Sequence, residues 1–233
     1  MNAPNPSLQI PAPDHSGICY LCWKPCDPTK HREHVPPKGC FPKGSTDLIQ
    51  VSCCYECNHA NSRDDEYFRT VMAMVPVQTP TSAAVWSRAL ERTVARGRLK
   101  KEIDSIRKSI KPLLVNGNTF GKFAVQARKI RLQLIRITKG FLRHYHPEVD
   151  YRDFEWQIGM IDQSKIVTAA GGVSGLLRYH ERGNGAHRCF FGVVEDQPSY
   201  GLWMHIFHDG HAFYVRHRPR ERSNRKHSGV QFD

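Results

Sequence analysis

Apolar residues recur with a helical beat through the middle of the chain. Leu99, Ile103, Ile106, Ile110 and Leu113 step by 4, 3, 4 and 3, and Phe120, Phe123, Ala127, Ile130, Leu134, Ile137 and Phe141 step by 3, 4, 3, 4, 3 and 4. Such steps put each set on one stripe of a helix, because about 3.6 residues complete a turn. Val115-Asn116-Gly117-Asn118 separates the stripes, and a glycine suits the left-handed residue that commonly ends a helix. The pattern predicts a helical hairpin, its first arm starting near Ser82 and its second ending near Gly140, with Lys and Arg turned outward from the apolar seam.

Elsewhere the period changes. After residue 147 aromatic and β-branched residues alternate with turns: Leu202 to Phe207 and His211 to Arg216 read as two strands around an Asp209-Gly210 turn, and Cys189 to Val194 as a third. Trp203, Phe207, Phe213 and Tyr214 are assigned to the core of this sheet, and His205, His208, His211 and His217 to a half-exposed surface. Asp64 to Met72 reads as a short helix with acids in its first turn, and Pro76 and Pro80 mark a linker. The fold class is α+β: a leader (1–16) with four prolines, a Cys-, Pro- and His-rich unit (17–78), the basic helical hairpin (79–145), a β-rich unit (146–218) and a basic tail (219–233). No internal repeat and no phosphate-cradling glycine loop is present.

Charge sharpens this division. Of the net +12, the stretch from Arg88 to Arg143 holds 16 Lys or Arg against 3 Asp or Glu, which leaves the rest of the chain near neutrality. A concentrated positive field points to a polyanion, since neutralised phosphates release their counterions. Arg96, Lys100, Lys108, Arg128 and Arg136 are the expected phosphate contacts. No run of about eighteen apolar residues exists and the start has no basic flank or apolar signal region. A soluble, cytoplasmic protein with no membrane partner is expected.

Seven of the eight cysteines fall between residues 19 and 57. Cys19-x2-Cys22 and Cys54-x2-Cys57 have the spacing of paired knuckles, and four thiolates close a tetrahedral structural Zn²⁺ site. The 31 residues between the pairs bracket an insertion that contains Glu33-His34. Cys26, Cys40 and Cys53 are reserves, read first as small buried thiols.

Cys19-x2-Cys22, Glu33-His34 within Glu-His-Val-Pro-Pro, and Cys54-x2-Cys57-Asn58 ahead of a helix together resemble the HNH, or ββα-metal, endonuclease superfamily in its zinc-ribboned form. The resemblance covers about residues 17–72 and implies a zinc-stapled ββα-metal module. It implies His34 as general base, with Glu33 and Asn58 as ligands of a catalytic Mg²⁺ or Mn²⁺; His59 and Asn61 are alternatives to Asn58. Glu33 stands where the family more often has Asp or His. The family's middle Asn, which supports the His-bearing loop, has no counterpart in Ser45-Thr46-Asp47-Leu48-Ile49, which leaves Asp47 or another contact to hold that loop.

The residue types suit the chemistry in their own right. A neutral imidazole can take a proton from water, and one carboxylate plus one amide oxygen leave a hard cation open positions for water and phosphate. The expectation is an endonuclease acting on DNA. An RNase shares these features, and the rival class is a non-catalytic zinc-ribbon module that binds nucleic acid or a protein partner, for example within a larger nuclease or defence assembly.

Overall fold

The computed structural model describes residues 17–75, 79–97, 100–115, 117–162, 165–173 and 177–221, so the predicted leader and most of the tail lie outside the described residues. The chain is α+β. A short antiparallel hairpin, β1 (Arg32–Val35) and β2 (Ile49–Ser52), leads into α1 (Tyr55–Met72). Then come α2 (Pro80–Arg96), α3 (Lys100–Ser109), a second hairpin of β3 (Lys111–Val115) and β4 (Asn118–Lys122), and α4 (Ala127–Tyr145). The remainder holds β5 (Phe154–Ile161), α5 (Ile166–Val173), β6 (Arg178–Arg182), β7 (His187–Val194), β8 (Gln197–Phe207) and β9 (His211–Pro219). These five strands form an antiparallel sheet in the order β5-β9-β8-β7-β6.

The predicted helical hairpin is corrected. Leu113 and Phe120 lie in strands and pair with each other across the β3–β4 hairpin, whose Gly117 has φ 77°. Pro112 removes a helix N–H and crowds the turn before it, and Asn116-Gly117 in the sequence is a strong hairpin signal that the helical period masked. Pro80 begins α2 rather than sitting in a linker. Thr79 caps that helix, its Oγ1 accepting from Ser82 N (3.1 Å) while Ser82 Oγ accepts from Thr79 N (2.8 Å). α1 starts at Tyr55 rather than near Asp64, because the second cysteine pair itself opens the helix.

α4 is the axis of the molecule. Its predicted stripe of Ile130, Leu134, Ile137 and Phe141 is buried, and one continuous core joins it to Cys19, Val35, Val51 and Phe68 on one side and to Trp203, Phe207 and Val215 on the other. Gly140 permits the close approach to β1: a Cβ there would lie 2.5 Å from Val35 Cγ2. Gly210 does the same for the sheet, where a Cβ would meet Val75 Cγ1 at 2.3 Å. That contact explains a shift of the predicted turn. His208 (φ 50°) and Asp209 (φ 58°) are its central residues, closed by Gly210 N to Phe207 O at 3.0 Å, while Gly210 is held against Val75.

Enclosure of α4 also overturns two surface assignments. The basic residues do not all face water: Arg136 is only 5% exposed, Arg143 is buried with its guanidinium 5.5 Å from the Trp23 ring, and Lys139 lies over Tyr151 and Trp156. A helix packed on two sides has to place part of its polar stripe indoors. Lys100, Lys108 and Arg128 are exposed as expected; the side chain of Arg96 lies outside the described residues.

Of the four histidines assigned to a half-exposed surface of the sheet, His211 is half-buried and the other three are interior. His205, His208 and His217 are buried, as are His180 and His187. Two bonds fix the tautomers of His205 and His187. Thr138 Oγ1 donates to Leu134 O (2.9 Å), so it accepts from His205 Nε2 (3.0 Å); His205 Nδ1 then accepts from His187 Nε2 (3.2 Å). Burial lowers His180 and His205 to about 3 and His208 and His217 to about 4, so the sheet's histidines are neutral at neutral pH.

Candidate functional site

The first cysteine knuckle lies beside β2, where Tyr20 N–H donates to Ser52 O (2.9 Å), and Trp23 N–H closes the knuckle on Cys19 O (2.9 Å). Trp23 itself has φ 62°, a conformation that favours glycine. Its ring is held by Tyr151, 5.2 Å away, and by the guanidinium groups of Arg143 and Arg152. The second knuckle is the N-terminus of α1, with Cys54 as its cap residue and Asn58 N–H bonded to Cys54 O (3.0 Å).

These elements bring Cys19, Cys22, Cys54 and Cys57 together, with all four sulfurs within 4.8 Å of one another. The Cys22 and Cys54 sulfurs are 3.7 Å apart. The edge of a tetrahedron with Zn–S bonds of ~2.3 Å is about 3.8 Å, so the quartet can hold a metal such as zinc. A hydrogen bond from Cys53, together with backbone N–H groups, lowers the Cys19 thiol to about 3 against its burial. Burial lifts Cys54 to about 11 and raises Cys57 as well. A dication favours the thiolate form of all four. Among the described residues no other group of three or more His, Cys, Asp and Glu converges in this way.

No protein-family model, curated protein or solved structure matches this chain. The residues themselves therefore carry the functional argument.

Strand alternation divides the acid from the imidazole. Along β1, Glu33 and Val35 are buried while Arg32 and His34 are half-buried, so Glu33 and His34 occupy opposite faces. His34 faces Gln50 across the hairpin, with Gln50 Nε2 3.2 Å from His34 Nε2. Burial, and secondarily the charge of Lys38, lowers its pKa below the ordinary histidine value. Asn58 is half-buried in the first turn of α1. Of the alternatives to it, Asn61 donates its amide to Cys57 O (2.6 Å), and His59 is exposed and stacked on Tyr55 with centroids 5.3 Å apart.

Glu33 is 6% exposed and forms an ion pair with Arg136, whose Nη1 also meets Asp65 Oδ1 at 2.7 Å and whose Nε donates to Tyr20 Oη at 3.2 Å. Arg136 is thus a central cation of the interior, not a phosphate contact. Burial opposes its charge, but Tyr20, Glu33 and Asp65 raise its pKa on balance. Asp65 goes the other way: burial outweighs Arg136 and pushes its carboxyl up to about 6. Glu33 Oε2 is buried without a hydrogen bond.

The loop after His34 is held differently from the family pattern. Asp47 is exposed and, among the described residues, accepts a single long bond from Gly183 N (3.4 Å). Arg88 of α2 instead donates to the carbonyls of Gly39 (2.9 Å) and Phe41 (2.6 Å), and a Cβ at Gly39 would lie 2.8 Å from Arg69 Cδ. Sequence reasoning missed Gln50, Asp65 and Arg88 as parts of this site. Pairing His34 against the second strand's alternation points to Gln50, and Asp65 lies on the Asn58 face of α1, two turns on. No local pattern singles out Arg88.

Proposed function

We propose that this protein is a metal-dependent nuclease that hydrolyses phosphodiester bonds, DNA foremost, with His34 as general base. What supports the reading is a half-buried imidazole with a depressed pKa, held by Gln50 on a hairpin that a cysteine quartet fastens to α1. Zinc is the ion proposed for the quartet. An imidazole acts as a base through an unprotonated nitrogen. Turning the Gln50 amide so that its oxygen accepts from Nε2–H leaves Nδ1 free to take a proton from water, the same division of labour that a third group imposes on other catalytic histidines. Lys38, which lies close enough to lower the His34 pKa, adds positive charge near the imidazole that would favour an approaching phosphate.

The oxygen donors fit a hard cation in kind: Glu33 offers Oε2, a buried oxygen with no hydrogen bond, and Asn58 offers an amide oxygen at the start of α1. A Mg²⁺ or Mn²⁺ ion held by Glu33 and Asn58 would supply charge neutralisation at the phosphate and at the leaving oxygen. Because Arg136 already pairs with Glu33, Glu33 brings a partly neutralised ligand, and a weak divalent affinity is expected.

That same pair favours a second reading, a nucleic-acid-binding module without chemistry, in which Glu33 is purely structural. One assay separates the two: cleavage of supercoiled plasmid, single-stranded DNA and RNA across a Mn²⁺ titration. His34→Ala should lower the rate by roughly a hundredfold to ten-thousandfold, the usual effect of losing a general base, with duplex affinity unchanged. Equal rates for wild type and variant leave only the binding module.

A further inference from the structure

The second face of the five-stranded sheet, turned away from α4, carries a groove that the proposed hydrolytic site does not use. α5 covers one end of this face, where Ile166 and Ala169 pack with Phe190, Met204, Ile206 and Ala212. Beyond α5, two adjoining depressions of ≈ 540 and ≈ 720 Å³ run across β8 and β9 and share Leu177, Leu202 and Arg216. A third, of ≈ 220 Å³, continues to the edge strand β5, and Arg216 lines it too. Arg216 is exposed and forms no ion pair among the described residues.

The floor and the rim differ in chemistry. Tyr200 is 42% exposed and Leu202 is 36% exposed. Tyr214, assigned from the sequence to the core, is half-buried and lines this face instead; its ring reaches over Gly159 of β5, where a Cβ would come within 2.3 Å of it. Glycine at that position leaves room for the ring. Around this floor stand Arg131, which reaches from α4 to Trp156 O (3.1 Å), Arg216, and Arg218, whose Nε meets Glu155 at 2.9 Å. Arg218 Nη1 also lies 3.8 Å from Glu221 Oε1, so three guanidinium groups stand against two carboxylates and leave the groove a net positive charge, centred on Arg216.

We infer that this groove binds single-stranded nucleic acid, with bases lying on Tyr200 and Tyr214 and the backbone drawn to Arg216 and its neighbours. A second copy of the chain would set one cationic face against another. The segment that follows β9 is also a poor match, since Arg220, Arg222, Arg225 and Lys226 outnumber Glu221 and Asp233 and bring a net charge of the same sign. An occupant has to be anionic and yet present flat apolar faces. A single strand does both, because every unpaired base has a face to stack, whereas a duplex hides its bases inside. The inference deepens the proposed function by adding a place for an unpaired strand; it rests on the nucleic-acid partner of that reading and not on the chemistry of His34.

The test is fluorescence anisotropy on the zinc-loaded full chain without added Mg²⁺ or Mn²⁺, so that no hydrolysis intervenes. The probes are labelled oligothymidylate and its duplex with oligodeoxyadenylate, and polyglutamate is the competitor. The wild type should bind the single strand more tightly than the duplex. Tyr200→Ala should weaken single-strand binding roughly tenfold, in the range seen on removing one stacking ring, and Tyr200→Phe should restore it. Arg216→Gln should reduce the salt slope by about 0.7, the share of one phosphate contact on a single strand. Both side chains are exposed, and unchanged thermal melts would show that the variants are folded. Wild-type binding by folded Tyr200→Ala and Arg216→Gln overturns the inference, as does displacement by polyglutamate as effective as by unlabelled oligothymidylate, which would make the partner an acidic peptide. His34→Ala should bind the strand normally; if it also cleaves normally, the hydrolytic reading fails while this groove stands.

Discussion

The two sides of α4 are built on opposite solutions to the same problem. Toward β1 and α1 the helix presents Arg136 to Glu33, Asp65 and Tyr20, next to a quartet of cysteines. Toward the sheet, two residues on, it presents Thr138 to His205 among Trp203, Phe141 and Phe207. The first side keeps formal charges indoors by pairing them with a cation; the second keeps titratable rings neutral by surrounding them with aromatic groups. Small modules rich in loops cannot bury enough apolar surface and lean on metals and ion pairs. A five-stranded sheet with a full aromatic layer can dispense with them.

Metal removal should separate the sides most sharply. Residues 17–72 give Tyr20, Phe41, Tyr67 and Phe68 to the shared core, but the two knuckles are joined to each other at the quartet, and structural zinc contributes about 10–16 kcal/mol of apparent binding free energy in small domains. Chelation, or Cys22→Ser, should unfold residues 17–72 and leave the sheet's amides protected longer. Segment-resolved hydrogen exchange reads this directly. Equal loss of protection on both sides would mean that the shared core makes them one cooperative unit.

Acid should act in the reverse sense. His180 and His205, at about 3, and His208 and His217, at about 4, lie below the ordinary 6.5 in the folded chain. Below pH 6.5 the unfolded chain therefore takes up protons that the folded chain refuses. The stability contribution of these rings is complete above that value and falls as pH drops, by about 1.4 kcal/mol per pH unit for each ring. Urea denaturation of the zinc-bound protein at pH 7, 6 and 5 should show this slope, and His205→Gln should flatten it by one ring's share. A slope indifferent to His205 assigns the acid sensitivity to the thiolates instead.

How much of this was legible beforehand depended on whether a residue's partner was near in sequence. The cysteine quartet was readable because each knuckle is a local spacing, and the stripe from Ile130 to Phe141 because helical periodicity is local too. Three of the sheet's five strands, β7, β8 and β9, followed from alternation in the same way, whereas β5 and β6 were not foreseen. Leu113 and Phe120 misled because steps of 3 and 4 continued across a Pro-containing strand and an Asn-Gly turn. Arg136 and the histidines were misplaced for a different reason. Polarity by itself predicts exposure, and only the tertiary arrangement, Glu33 and Asp65 for one and Thr138 for the other, reveals a partner that makes burial affordable. Arg88 is the extreme case, since its partners are backbone carbonyls 47 and 49 residues away.

The finest test of the comparison is a pair of substitutions on α4. Arg136→Gln leaves Glu33 and Asp65 indoors without their cation, and removing one partner from a buried ion pair typically costs about 3–5 kcal/mol. Part of that loss should vanish at pH 5, because Asp65, with its carboxyl already pushed up to about 6, can accept a proton and give up its need for a counterion. Thr138→Val keeps the shape of the side chain but leaves His205 Nε2–H without an acceptor, a change on the order of 1–3 kcal/mol. Its effect should persist at pH 5, since no carboxylate shares that contact. The two residues have no common partner, so the double variant should lose the sum of the two to within about 0.5 kcal/mol, as measured by urea denaturation. A larger discrepancy would show that strain at one face of α4 is felt at the other, and the two sides would then have to be regarded as a single coupled core.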